Sequence, residues 1–455
     1  MIAGRTFSAG SSPRDALFPT LLALLTDVFA AACGGSGVEL PAPTLLDVPA
    51  ATGAAEPSVT AWGPDLLVSW IEPDTCASPG GNGADSAGAG TVPSPRGASP
   101  TSNGAAAARA GGATRARPRG HALRFAVWNG GVWSQARTIA RGTGWFVNWA
   151  DFPSVLALDE HTLVAHWLQR TAASPYAYDV MLTRSVDGGA TWSQPVRPHR
   201  DGAAVEHGFV SFFPSGKGAG IVWLDGRRFA GTGATKEMTV RFTTIGDNGS
   251  LGNEVLLDDR ACDCCQTAAA LTAEGPLVAY RDRTADEIRD IAVTRFVNGR
   301  WTPPRPVHED GWRIQACPVN GPQADALERD VVVAWYTAAS DDPRVQLAFS
   351  RDAGATFGAP IRVDDGDPLG RVDVVLTDHG DALVVWLERA RDNAEVRARL
   401  VGTRRLGPAR TIATTGAQRA AGFPRMARQR GRVLLAWTDP AERSTVRAAM
   451  LELPR

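Results

Sequence analysis

Seven short apolar runs, each ending on an aromatic ring, divide the chain: Leu66–Trp70, Leu163–Trp167, Gly220–Trp223, Leu277–Tyr280, Val331–Trp335, Leu383–Trp386 and Val433–Trp437. Each is rich in β-branched or aromatic residues and bounded by Gly, Asp or Pro, as strands are. From Trp167 onward the closing aromatics lie 51 to 57 residues apart. The first interval is 97, because residues 74–120 form an insert of Gly, Ala, Ser and Pro with a basic tail. Too little of that insert is apolar to pack, and it is expected to be disordered. Without it every unit has about 50 residues, the length of a four-stranded propeller blade.

A strand pair follows each run, and in two units its turn has a recurring pattern. Ser185, Asp187, Gly189, Thr191 and Trp192 reappear as Ser350, Asp352, Gly354, Thr356 and Phe357. Ser and Asp bond nearby backbone N–H groups, and Gly takes an angle other residues resist. Worn versions such as Asn129-Gly130 and Asn298-Gly299 mark the same turn elsewhere. The last unit lacks a fourth strand, whereas Thr44–Val48 precedes the first unit without a partner. That segment is expected to complete the last blade and remove an exposed edge. The chain thus reads as all-β, a single β-propeller of seven blades of four antiparallel strands, with six as the alternative count.

The two boxes and the blade pattern resemble the Asp-box (BNR-repeat) propellers of the sialidase superfamily, over residues 44–455. The resemblance implies that the boxes are structural, at the turn between third and fourth strands, opposite the face that carries sialidase active sites. It also implies a mouth that binds a carbohydrate or metal ligand, with an exo-sialidase type of glycoside hydrolase and a protein-interaction scaffold as the alternatives. Two parts of that pattern are missing. No Arg-Ile-Pro occurs, and none of Tyr176, Tyr178, Tyr280 and Tyr336 lies in the last two blades.

Composition supplies a core, at 44% hydrophobic residues, and 48 Gly and 31 Pro suit many turns. The net charge of −1 gives no argument for nucleic acid. The apolar run Leu17–Ala32 follows Arg5 and Arg14, so residues 1–32 read as a signal peptide. Ala30-Ala31-Ala32-Cys33 resembles a bacterial lipobox, with lipidation of Cys33 and a flexible tether over 33–43. An exported, lipid-anchored monomer facing the periplasm or the outer membrane is expected, with a carbohydrate, a small ligand or an envelope protein as partner.

A blade starts its first strand, ends its second and starts its third at one face, so these points meet at one mouth of the channel. Cys262, Cys264 and Cys265 open the fourth blade and Cys317 opens the fifth. Strand alternation would place Cys262 and Cys264 on one face and Cys265 on the other. Disulfides, a zinc or copper site with His207 or His308, and redox-active thiols are the alternatives; no cofactor is certain. Nearby, Arg281, Asp282, Arg283, Arg289 and Asp290 would face one another, and paired Arg and Asp bind carboxylates or sugar hydroxyls. Arg227 and Asn320 join them as ligand-binding candidates. Asp225, Asp282, Asp290 and Glu388 are the catalytic candidates. Asn148, Trp149, Asp151, Glu206, Arg371 and Asp373 also fall at the mouth.

Overall fold

The computed structural model describes residues 39–74 and 120–454. Strands dominate; among the described residues the only helical pieces are three single-turn 3-10 segments. The strands form seven antiparallel sheets, six of them built from consecutive strands and the seventh from the last three strands and the first. Blade 1 holds Ala55–Trp62, Asp65–Asp74, Gly120–Trp128 and Arg137–Gly142. Blade 2 has three full strands, and a single bridge between Leu182 and Val196 stands for its fourth. In blade 4 the outer strand is split, with Arg300–Trp301 and Arg305–Pro306 both pairing with Ile291–Val297.

The ring closes as expected. Thr44–Leu46 pairs antiparallel with Thr445–Glu452 and becomes the outer strand of blade 7. The segment before it is not a tether from residue 39 onward. Leu40 is buried in the core between blades 6 and 7, and Glu39 pairs with Arg410 at 2.6 Å. The insert expected over 74–120 falls between the second and third strands of blade 1. Its flanks Asp74 and Gly120 are partners in the sheet. The residues between them lie outside the described ones, as do the signal segment and Cys33.

Packing explains the aromatic periodicity. The closing ring of a run fills the space between adjacent blades: Trp70 packs with Ala427, Leu434 and Ala436 of blade 7, and Trp386 with Val332 and Leu347 of blade 5. A buried indole needs a partner for its N–H. The chain supplies an acid two residues on: Trp70 donates to Glu72, Trp223 to Asp225 and Trp386 to Glu388.

The two boxes are superposable in their bonding. Gly189 N–H donates to Ser185 Oγ at 2.8 Å, and Thr191 donates through its N–H and its hydroxyl to Asp187 at 2.9 and 2.6 Å. Ser350, Asp352, Gly354 and Thr356 repeat each of these bonds. Gly189 has φ of +80°, and a Cβ there would come within 2.6 Å of the Phe125 ring. Both boxes follow third strands, so they lie at the face opposite the mouth.

Candidate functional site at the channel mouth

The seven first strands line a central channel of about 460 Å³. Their entries carry a feature that periodicity does not show. In blades 1, 3 and 6 the pairing of first and second strands slips near its mouth end. At each slip one non-glycine residue is left-handed: Glu56 (φ 59°), Phe209 (φ 54°) and Arg371 (φ 55°). Such bulges bend a strand and re-aim a side chain, and they recur beside functional sites.

Three groups come together where blade 2 meets blade 3. Asp151 lines the channel, Tyr178 begins the third strand of blade 2, and Glu206 sits in the loop entering blade 3. The Tyr178 hydroxyl lies 2.7 Å from Glu206 Oε1 and 3.0 Å from Asp151 Oδ2. A phenol has one hydrogen, so both contacts are bonds only when one carboxyl keeps its proton. Asp151 is that group. Burial pushes it up to about 8, although the Phe209 N–H at 2.7 Å opposes the shift. Protonated Asp151 donates to the phenol oxygen and Tyr178 donates to Glu206. Burial raises Glu206 to about 7, against the Tyr178 bond. Gly208 makes room for this: a Cβ there would lie 1.9 Å from Asp151 Oδ2. The carboxyl of buried Glu56 is raised by burial first and then by the charge of Asp151.

Across the mouth the first-strand entries of blades 2, 6 and 7 form an aromatic corner. Trp149 stacks on Phe423 at 5.9 Å, and Phe152 leans on the same ring. Arg371 and Arg419 lie over Trp149 at 4.8 and 5.9 Å, and Arg425 over Phe152 at 5.5 Å. Burial, then the charge of Arg419, lowers Arg371 to about 10.

The cysteines converge at the entries of blades 4 and 5. Cys264 is bonded to Cys317, while Cys262 and Cys265 are buried thiols. The expected alternation fails because Asp263 and Cys264 form a turn rather than a strand. The turn brings Cys262 to 3.5 Å from Cys265 and 3.8 Å from Cys317, sulfur to sulfur. Arg289 donates to Cys262 Sγ at 3.2 Å. The Cys265 contact, with Arg281 and Arg289 nearby, lowers the Cys262 thiol against its burial.

His207 does not join the cysteines. It is fully buried and its ring lies flat on His199 at 3.8 Å. Asp179, Asp201 and Asp225 surround its nitrogens at 3.6, 3.2 and 3.7 Å. Burial pulls His207 down, but these carboxylates prevail and hold it raised. Asp179, His199 and His207 are close enough to share a cation. The same contacts pair both rings with carboxylates and bolt blade 2 to blade 3. His308 is bonded to Asp310 at 2.9 Å instead.

The remaining candidates divide by what already occupies them. Asp225 and Glu388 accept indole N–H groups inside the blades, and Arg227 clamps Asp225 and Glu254. Arg281 is buried and donates to the carbonyls of Asn320, Arg289 and Tyr336. Asn320 in turn accepts the Arg371 N–H at 2.7 Å. Arg283 and Arg289 both grip Glu287. Asp290 accepts N–H groups of Gly311 and Trp312. Asp282 is pushed up to about 6 by burial and then by Asp258. Asp373 accepts the Met426 N–H, a link between first strands that Asp151 also makes. The partnership of Tyr178 with Asp151 and Glu206 was missed in the sequence, since 27 and 28 residues separate them.

No family model matches the sequence, and no curated protein matches it. Solved structures do. A protein of unknown function from Dyadobacter fermentans is 15% identical, with TM-score 0.47, over 91% of this chain and 99% of its own. The polysaccharide lyase Uly1 is 9% identical, with TM-score 0.48, over 92% and 100%. Trypanosoma rangeli sialidase is 10% identical, with TM-score 0.43, over 70% and 56%. The structural neighbours include sialidases and polysaccharide lyases.

Proposed function

We propose that the mouth binds an anionic carbohydrate and acts on it by proton transfer, with Glu206 as the exchanging group. The observation that carries this reading is the Asp151–Tyr178–Glu206 chain. A carboxyl raised to about 7 is near the operating range of a general acid or base. Its position at a channel mouth, beside a second raised carboxyl, is where such groups act. The aromatic corner supports the ligand class. Trp149 holds Arg371 and Arg419 against its ring, and arginines so placed suit a carboxylate or sulfate. Tyr178 paired with Glu206 is also a tyrosine–carboxylate pair, which favours glycoside hydrolysis as the reaction, although it stands in the second blade. Anchoring through Cys33 at the cell envelope belongs to the same reading.

The test is a panel of neutral and anionic saccharides, scored for binding and for chain or glycoside cleavage. Trp149→Ala should weaken binding, and Glu206→Gln should abolish turnover while binding persists. Binding without turnover in the native protein would remove the catalytic half of the reading. No saccharide binding at all would remove the whole. A Cys33→Ser protein should leave the membrane fraction; continued attachment would reject the anchor.

A further inference from the structure

We infer that Cys262, Cys265 and Cys317 form a thiolate site for a thiophilic d10 cation, Zn(II) or Cu(I), that the Cys264–Cys317 disulfide closes and its reduction opens. The inference is independent of the carbohydrate reading, since none of these groups belongs to the Asp151–Tyr178–Glu206 chain.

Geometry comes first. The three sulfurs lie within 4.8 Å of one another, with edges of 3.5 Å from Cys262 to Cys265 and 3.8 Å from Cys262 to Cys317. Sulfurs held at about 2.3 Å from one tetrahedral zinc stand about 3.8 Å apart. The thiols are therefore spaced like ligands around a common centre. The turn at Asp263–Cys264 produces this spacing, because it folds Cys265 back beside Cys262.

Charge comes second. Three thiolates around a cation leave net negative charge in a buried place, and such charge must be offset. Arg289 already points a guanidinium N–H at Cys262 Sγ, and the charge of buried Arg281 is close enough to act on both thiols. Arg281 is held there by three backbone carbonyls and by the Trp312 ring at 4.9 Å. An all-sulfur donor set selects soft or borderline cations over magnesium or calcium.

The gate follows from the bond that Cys317 makes. A disulfide sulfur has no thiolate to offer, so the oxidised protein presents two of the three ligands. Cys264 and Cys317 are half-buried, whereas Cys262 and Cys265 are buried. An external dithiol attacks the bridge, forms a mixed disulfide and displaces one thiolate. Its second thiol then closes its own disulfide and releases the other. Two electrons and two protons pass to the cystine, and the dithiol is oxidised. The freed Cys317 completes the site, and cation binding releases the thiol protons. Cys264, freed in the same step, is available as a fourth ligand.

Zn(II) and Cu(I) titrations against a competing chelator test this on the full chain, before and after treatment with a dithiol. The reduced protein should bind one ion, and the oxidised protein should bind at least about 100-fold more weakly. Cys264→Ser leaves Cys317 without its partner, so it should bind the ion with no reductant. Cys265→Ser should cost more than the roughly 10- to 100-fold that losing a ligand's hydrogen-bond partner costs, and Arg289→Met should fall within that range. No ion on the reduced protein, equal affinity in both redox states, or a Cys264→Ser protein that still needs the dithiol would each overturn the inference.

Discussion

At the scale of the residue, the environment of a carboxyl decides its role. Asp225 and Asp151 are both buried acids near the mouth, yet Asp225 is lowered and Asp151 is raised to about 8. Burial raises both; Arg227 and His207 reverse it only for Asp225. Two predictions belong here. Tyr178→Phe removes the hydroxyl that joins Asp151 to Glu206, and turnover should drop about 100-fold or more, with a shifted pH profile. The second concerns stability. Asp151 and Glu206 hold protons to about 8 and about 7 in the folded protein, against 3.8 and 4.5 as ordinary values. The folded state binds more protons across that window. The stability they confer is therefore full below about pH 4 and lost as pH rises toward 8. Melting curves from pH 4 to 8 should show Tm falling, and Asp151→Asn should flatten the slope.

At the scale of the element, the blade is a repeated solution to a repeated problem. In blades 1, 3 and 6 the second strand buries a Trp, and an acid two residues later satisfies its indole. That explains why Asp225 and Glu388 recur at strand ends, where they look like members of a mouth ring. Trp223→Phe should cost about 2–3 kcal/mol in chemical denaturation, from lost packing and an acid left without its 2.8 Å donor. The turn box follows the same logic. Gly189→Ala combines a left-handed backbone with a 2.6 Å clash against Phe125, and should cost about 1–3 kcal/mol. The first strand departs from the pattern, with its bulges at Glu56, Phe209 and Arg371. Strand alternation has no place for an extra residue, so the sequence reading could not see where these side chains turn.

At the scale of the whole molecule, closure matters most. The outer strand of blade 7 comes from the opposite end of the chain, so first and last segments are held together. Leu40 anchors that strand in the core between blades 6 and 7. Leu40→Ala should cost about 2–5 kcal/mol, and removing residues 39–46 should expose the edge of Thr445–Glu452 and promote aggregation, measured by light scattering. The same ring brings the entries of all seven blades to one channel.

The periodicity of apolar runs was enough to determine the blade and the closing strand and to favour seven blades over six, because each depends on a pattern repeated along the chain. The turn boxes determined the register, and through it the convergence of Cys262, Cys264, Cys265 and Cys317. Which sulfurs bond was a matter for the tertiary structure, since a turn at Asp263–Cys264 replaced the alternation of a strand. So was the company of His207, which went to His199 and three carboxylates across a blade boundary. So was the chain from Asp151 through Tyr178 to Glu206. Those contacts join residues that no local pattern relates, and only the packing of blade 2 against blade 3 brings them within a hydrogen bond.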